Sequence, residues 1–531
     1  MSIEKNIKQK QPRYEMHKYW GKKPSKDLKM LIEKFSKEND ILLDPFAGYG
    51  VFVCEAFLMG RNVIGNDLNP AANFILDQLL NTNVDLKVFK KTMSDILEKT
   101  KEEYNFWYLT SCPKCQKECN ILATLRKKDG TPLVNKLKCS CSKHSFTQDI
   151  SEEMANQLAC KEKTVDIEGH PTTNLIRNSR ISAFKDMNTD DLFTTRALYC
   201  HSLLYKLIEN IDNDDIRSLA KLTFTSNLAN CSKLVPPIKS RGAVSPGAWM
   251  TGFYIAGEYL EQNVFHYFKN RVEKVIQGKN DYLSNLGDFN RASKINTFDG
   301  FNNERLSYLI TNDDAKKINL PDNSIDYIFT DPPYGDTVPY FEQSILWNNW
   351  LNNQVNYNNE IVISDSKERS KNMDNFKKDI YASIKEIHRV LKNGKYFSIT
   401  YHSISGKEWY ALTTACLELG FEICEFNLLL QKSFSPRQLN KKQTVKGDIL
   451  ITFKKTDVKK EVFKMDSEET KIFIKEVVSK TLTESAKNTN DIYVEILKGI
   501  FTNHILFSEV DFIEELNKSF IMDDNGFWNL K

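Results

Sequence analysis

The chain has 531 residues, with 73 Lys and Arg against 70 Asp and Glu, a net charge of +3 and 41% hydrophobic residues. That length predicts two or three domains, and a mean hydropathy of −0.47 with no long apolar run speaks against a membrane protein or a secretory leader. So small a net charge excludes an argument for nucleic-acid binding from composition alone, and any DNA footprint must be local.

In chain order, the first motif is His17-Lys18-Tyr19-Trp20-Gly21-Lys22-Lys23-Pro24, which leads into a helical pattern at Leu28, Leu31, Ile32 and Phe35. Residues 41–50, Ile-Leu-Leu-Asp-Pro-Phe-Ala-Gly-Tyr-Gly, read as a buried strand entering a glycine-bearing turn. A helix over 51–59 follows, closed by Gly60. Gly48 and Gly50 let the backbone approach a ligand closely. A second strand over 62–65 ends at Asn66-Asp67, where a carboxylate can take the hydroxyls of a ribose, and the spacing from Asp44 to Asp67 suits one βαβ unit.

Eleven cysteines scattered through the chain predict a reducing, cytoplasmic setting rather than a disulfide framework. Five of them crowd between residues 112 and 141. Cys112-Pro113-Lys114-Cys115 and Cys139-Ser140-Cys141 flank a predicted hairpin with its turn at Asp129-Gly130. Two such knuckles predict a structural zinc ion, which would give folding energy to a lobe too small for a core of its own. The second knuckle is a residue shorter than usual, which leaves the fourth ligand open among Cys141, His144 and Cys119. The lack of a His-x-Glu partner at deaminase spacing speaks against catalytic zinc.

Beyond the ribbon the pattern is helical, starting at 191–198 and continuing over 216–228. Residues 233–254 break it with prolines, glycines and aromatics around Lys239 and Arg241. That stretch suits contacts to a nucleic-acid backbone or base edges, or else a rigid surface loop.

Leu309-Ile310-Thr311-Asn312-Asp313-Asp314-Ala315 then precedes the strand-like run 325–330 and, directly behind it, Asp331-Pro332-Pro333-Tyr334. An exocyclic amine shares its lone pair with the ring and is a poor nucleophile until acceptors hold its hydrogens. Asp331 and a carbonyl presented beside proline can supply them, and Tyr334 adds an aromatic face for an extruded base.

Further on, 342–351 is helical. Residues 384–394 read as a helix stopped by Gly394, followed by a strand over 396–401. A helix over 408–419 and strands over 421–430 and 448–453 complete the sheet. Between those last strands a basic connection carries Lys432, Arg437, Lys441 and Lys442, which suit phosphate contacts that position a duplex without reading it. The tail from Thr456 reads as a small helical appendage with no assignable chemistry.

These motifs, in this order, resemble the S-adenosylmethionine-dependent amino-group DNA methyltransferases of the adenine-N6 and cytosine-N4 kind. The resemblance implies an α/β fold with a doubly wound, Rossmann-like methyltransferase sheet, interrupted by a zinc-ribbon-plus-helical insertion. By that reading residues 1–99 form the cofactor-binding half, 100–150 the zinc-ribbon-like lobe and 151–304 a helical target-recognition region. The catalytic half is 305–455, and 456–531 is the C-terminal appendage.

The family's glycine turn cradles the methionine part of S-adenosylmethionine, which carries over to Asp44, Phe46, Ala47, Gly48 and Gly50. His17, Lys23 and Pro24 resemble a segment leading into the same pocket. Asp67 would bind the ribose, and Asp313 or Asp314 the adenine amino group. Asp331 and the Pro332 carbonyl, held by Pro333, would grip the target amine, with Tyr334 on the flipped base. An aspartate at 331 implies adenine N6 in double-stranded DNA. The alternatives are cytosine N4, an RNA or protein amine, or a non-catalytic subunit of a defence complex. A cognate restriction endonuclease or defence-complex subunit is the implied protein partner.

Overall fold

The computed structural model describes residues 11–286, 292–302, 305–401, 406–429, 448–456 and 460–531. Its first elements are α1 (Ser25–Phe35), β1 (Ile41–Asp44), α2 (Val51–Leu58), β2 (Asn62–Asn66) and α3 (Pro70–Leu80). Next come α4 (Leu86–Lys99), α5 (Lys101–Tyr108), β3 (Leu109–Ser111), β4 (Glu118–Lys127), β5 (Pro132–Lys138), β6 (Phe146–Asp149) and α6 (Glu152–Lys163). They are followed by α7 (Thr195–Glu209), α8 (Asp214–Leu228), β7 (Glu258–Gln262), α9 (Val264–Leu286), β8 (Ser293–Ile295) and β9 (Ser307–Thr311). Then come β10 (Ile325–Thr330), α10 (Tyr340–Trp350), α11 (Met373–Val390), β11 (Leu391–Tyr401), α12 (Gly406–Glu418), β12 (Phe421–Leu429) and β13 (Asp448–Lys455). The last are β14 (Phe463–Lys464), α13 (Ser467–Glu484), α14 (Thr489–Thr502), β15 (Ile505–Leu506), α15 (Phe512–Ser519), β16 (Phe520–Met522) and β17 (Trp528–Leu530).

Contacts divide the chain into two compact units, and neither is continuous in sequence. One gathers Met1–Trp20, Asn69–Asn290 and Pro339–Val355, and the other Gly21–Leu68, Arg291–Val338 and Asn356–Lys531.

The second unit holds an eight-stranded sheet in the order β12-β13-β11-β10-β1-β2-β9-β8. All neighbours pair in parallel except β13, which runs antiparallel to both β11 and β12. The central strands β1, β2 and β10 are buried nearly throughout, as strands covered on both faces must be, and their near-continuous apolar runs follow from that. Strand order reverses between β1 and β10, so this Rossmann-like sheet has its switch point where the glycine turn and the Asp331 tetrapeptide both emerge.

Two expectations are corrected. Gly394 does not stop a helix: α11 ends at Val390, and Gly394, at φ 73°, lies inside β11. There the register against β10 jumps from Ile325↔Leu391 to Tyr327↔Tyr396, and the irregularity includes Gly394, whose positive φ glycine adopts without strain. The tail is not an appendage either. Ile474, Ile496, Phe501 and Trp528 belong to the same buried cluster as Phe397, Phe421 and Phe453, and the Phe453 and Phe501 rings meet at 5.2 Å. Helices α13 to α15 therefore cover apolar surface that the sheet would otherwise expose.

The other unit is organised around a five-stranded sheet, β3-β4-β5-β6, with β7 paired to residues 123–127 of β4, beyond the stretch that β3 pairs. The predicted turn between β4 and β5 is present, with Gly130 at φ 94° and Asp129 Oδ1 accepting from Thr131 N at 2.9 Å. Strand β7 arrives only after α8, so the cysteine-bearing strands and the helical segment share one sheet.

A buried ion cluster secures that junction. Glu261 on β7 takes Arg196 Nε of α7 at 2.7 Å, Thr194 Oγ1 at 2.8 Å, and Arg126 Nε of β4. Arg126 also reaches Glu162 of α6 at 2.7 Å. Burial alone would raise the Glu261 carboxyl, but Arg126 and Arg196 outweigh it and hold it at about 2. Glu261→Gln leaves the buried Arg196 guanidinium without its anion and Arg126 with Glu162 alone, and a loss of about 3–5 kcal/mol is expected. Because the folded value of about 2 lies below the ordinary 4.5, this stabilisation is whole above pH 4.5 and is lost as pH falls toward 2. Thermal melts of wild type and Glu261→Gln between pH 7 and 3 should therefore converge at the acid end; parallel curves would refute the assignment.

Candidate active site

The turn after β1 is built for close approach. Gly48 has φ 53° and Gly50, the residue before α2, φ 84°; both lie in the left-handed region that glycine occupies without penalty. Asp44 Oδ1 accepts from Phe46 N at 3.1 Å, and Asp67 Oδ2 from Gly48 N at 2.8 Å. Asp67 therefore braces the glycine turn from the end of β2. Ala47 N donates to Asn66 O at 2.8 Å, while Phe46 packs partly buried against the sheet core.

Asn66, fully buried, ties this turn to the loop after β9. Its Nδ2 donates to Pro45 O and Asp313 O, both at 3.1 Å, and its Oδ1 accepts from Asp313 N at 2.8 Å. Asp313 Oδ2 takes Asn319 N at 3.1 Å, and Asp314 Oδ1 takes Lys316 N at 2.9 Å. The predicted glycine turn, Asp67, Asp313 and Asp314 are thus brought to one rim at the carboxyl ends of β1, β2 and β9.

The tetrapeptide stands beside them at the end of β10. Asp331, with 17% of its side chain exposed, meets Lys23 Nζ at 2.9 Å through Oδ2. Its Oδ1 accepts from Thr400 Oγ1 of β11 at 2.8 Å and from the Tyr334 hydroxyl. The Tyr334 ring meets Tyr401 edge-on at 5.3 Å, and Pro332 is buried. Lys23 also donates to Asp448 Oδ2 at 2.7 Å and to Tyr334 OH at 3.0 Å. Lys23, grouped by sequence with the cofactor segment, thus sits against the tetrapeptide. Pro24 directly precedes α1.

Burial dominates the electrostatics. It raises the Asp44 carboxyl well above its ordinary range, opposed by the Phe46 N–H and reinforced by Asp331 and Asp67. Burial raises Asp331 too, with Lys23 opposing and Asp448 adding to the rise. Burial would lower Lys23, yet its two carboxylate neighbours hold it above the usual value.

His17 lies in the other unit, with Nε2 3.1 Å from Thr225 Oγ1 and its ring edge-on to Trp347 at 4.8 Å. Lys239 and Arg241 form an exposed turn there, and Lys239 pairs with Glu258 at 3.0 Å. Lys432, Arg437, Lys441 and Lys442 lie outside the described residues.

The four cysteines converge. Cys112 and Cys141 Sγ are 3.6 Å apart, as are Cys115 and Cys139, and all four sulfurs lie within 4.8 Å of one another. Tetrahedral zinc with bonds of about 2.3 Å places its sulfurs about 3.8 Å apart, so this donor set fits that ion. Cys119 and His144 are not part of the group. Cys119 is buried in β4, and desolvation pushes its thiol up to about 11. The N–H of Cys141 holds the Cys139 thiol down to about 6, and the hydrogen bond to Cys139 pushes the Cys141 thiol up to about 12.

Asp448, Thr400, Asn66 and the Glu261 cluster escaped sequence reasoning. Only Asp448 left a trace, as a carboxylate opening an apolar strand. Because β13 is antiparallel, its first residue lies at the carboxyl edge of its neighbours.

The comparisons with known proteins agree with the motifs. The family model described as DNA methylase (N6_N4_Mtase) matches residues 2–75. The Type II methyltransferase M.MjaII of Methanocaldococcus jannaschii is 26% identical over 351 residues, covering 62% of this chain and 60% of that protein. The chain thus spans less than two thirds of the length of that relative. Among solved structures, a SAM-dependent methyltransferase from Methanosarcina mazei aligns over 30% of this chain and 72% of its own, at 15% identity and a TM-score of 0.17. A Thermus thermophilus protein described as a DNA modification methylase, solved with S-adenosyl-L-methionine, aligns over 30% and 57%, at 14% identity and a TM-score of 0.17. The resemblance to amino-group DNA methyltransferases accordingly holds in a family model and in a curated relative.

Proposed function

We propose that this protein is a site-specific DNA methyltransferase that moves a methyl group from S-adenosylmethionine to adenine N6 of an extruded base. The observation that carries the reading is Asp331 at the end of β10, next in the sheet to the glycine turn of β1 and held by Lys23, Thr400 and Tyr334. When bound, S-adenosylmethionine supplies a methyl group on a positively charged sulfur. The residues present fit it: a turn with two positive-φ glycines for close backbone approach, and the acids Asp44 and Asp67 bracing that turn, a setting that favours a cation.

Asp331 and the Pro332 carbonyl would accept the two hydrogens of the target amine, drawing its nitrogen toward tetrahedral geometry and its lone pair toward the methyl carbon. The tetrapeptide's aspartate supports adenine over cytosine. Cys112, Cys115, Cys139 and Cys141 would hold a structural zinc ion, and Lys239 and Arg241 are suited to phosphate contacts.

Incubation with methyl-labelled cofactor and duplex DNA, followed by nucleoside mass spectrometry, should yield N6-methyladenine. N4-methylcytosine would reassign the base, and label confined to RNA or protein would overturn the DNA reading.

A further inference from the structure

We propose that Lys23 is a placeholder and positioning residue: its ammonium stands where Asp331 must accept the target amine, and Asp448 is the anchor that receives it when the base docks. This inference rests on the methyltransferase reading above.

The geometry is closed around one atom. Lys23 Nζ has three hydrogens to donate and no lone pair, and three acceptors surround it: Asp331 Oδ2 at 2.9 Å, Asp448 Oδ2 at 2.7 Å and Tyr334 OH at 3.0 Å. Asp331 is occupied in turn, Oδ1 by the Thr400 and Tyr334 hydroxyls and Oδ2 by Lys23. A carboxylate offers about four acceptor positions; both on Oδ1 are filled and Lys23 holds one on Oδ2, so an incoming amine must come in at Oδ2, beside the ammonium. Thr400 is fixed on a buried strand, and the Tyr334 ring is wedged against Tyr401. Lys23 alone of the three has a long unbranched stem that can shift its head without moving backbone.

Such a shift would be prohibitive if it left a bare ammonium in a buried site. Asp448 removes that penalty. Its side chain is only 4% exposed and already holds Lys23 at the shorter of the two ionic contacts, so the lysine can yield Asp331 without losing its ion pair. The arrangement also keeps Asp331 able to accept. Two buried carboxylates share this ammonium, and without it one of them would take up a proton; a protonated Asp331 would have an O–H to donate where an acceptor is needed.

The test compares wild type, Lys23→Met, Lys23→Arg and Asp448→Asn as full chains, measuring single-turnover methyl transfer to DNA from pH 5.5 to 9 alongside steady-state kcat and KM. Lys23→Met should lose rate at neutral pH by about 10- to 100-fold and recover as pH rises and Asp331 ionises, where the wild-type profile is flat. Lys23→Arg should restore the flat profile without the full rate. Asp448→Asn should raise the KM for DNA about tenfold with a smaller change in kcat, because the lysine no longer has a second anchor. Parallel pH profiles for Lys23→Met and wild type, or an unchanged KM in Asp448→Asn, would overturn the placeholder. If circular dichroism shows Lys23→Met unfolded, Asp448→Asn decides alone. A wild-type protein that methylates no DNA would instead defeat the methyltransferase reading itself.

Discussion

Asp331→Ala is expected to reduce methyl transfer by about 10³-fold or more while the fold and cofactor binding persist. The size follows from removing a preorganised acceptor from a largely buried position, since a single aimed hydrogen-bonding group typically carries about 10²–10³ in rate, together with the anion that draws the amine's proton away. Persistence of the fold follows from the contacts that survive. Lys23 keeps Asp448 at 2.7 Å and Tyr334 OH at 3.0 Å, so no cation is orphaned. The glycine turn, braced by Asp67 and Asn66, is untouched. Calorimetry with S-adenosylmethionine and circular dichroism should match wild type while labelled methyl incorporation disappears. A variant that still methylates at more than a tenth of the wild-type rate would move the acceptor role elsewhere.

Zinc removal is the second large effect. The purified chain should carry about one zinc per molecule by elemental analysis, and a chelator or Cys112→Ser should remove it. Structural zinc contributes roughly 10–16 kcal/mol of apparent binding energy in small domains, far more than the few hydrogen bonds at this knuckle could replace. Loss should nevertheless be local. Strand β4 is also held by β7 and by the Arg126–Glu261–Arg196 cluster, so hydrogen exchange should rise at residues 109–117 and 138–149 and stay low at 123–127 and 258–262. A metal-free protein with unchanged exchange at the cysteines would show that the four thiols act without an ion.

Motifs that are local in sequence were the ones legible before the fold was known. The run 41–50 announces a strand, a positive-φ turn and a helix, because burial on both faces, glycine and apolar spacing each leave a mark within a few residues. The same holds for the hairpin turn at Asp129-Gly130 and for the tetrapeptide behind β10. Asp448 was illegible as a site residue, since its position depends on β13 running against its neighbours. Glu261 read as one acid among seventy Asp and Glu; what singles it out is two arginines, one on β4 and one on α7, converging on it in the buried interior.

The tail misled for a related reason. Its helices show an apolar face, and only packing reveals that this face closes on Phe421 and Phe453 of the sheet. Gly394 misled by proximity: a glycine shortly after a helical pattern suggests a stop, yet the pairing with β10 places it in an irregularity inside β11.

By itself, then, the sequence determined the reaction type that the motifs resemble, the strands carrying them and the cysteine pairs, because each depends on residue chemistry over short spacing. Tertiary structure alone decided that Lys23, Asp331 and Asp448 share one ammonium, that Cys141 joins Cys112, Cys115 and Cys139, and that β7 completes the cysteine-bearing sheet. Those facts depend on strand direction and long-range pairing, to which a one-dimensional pattern of residues is blind.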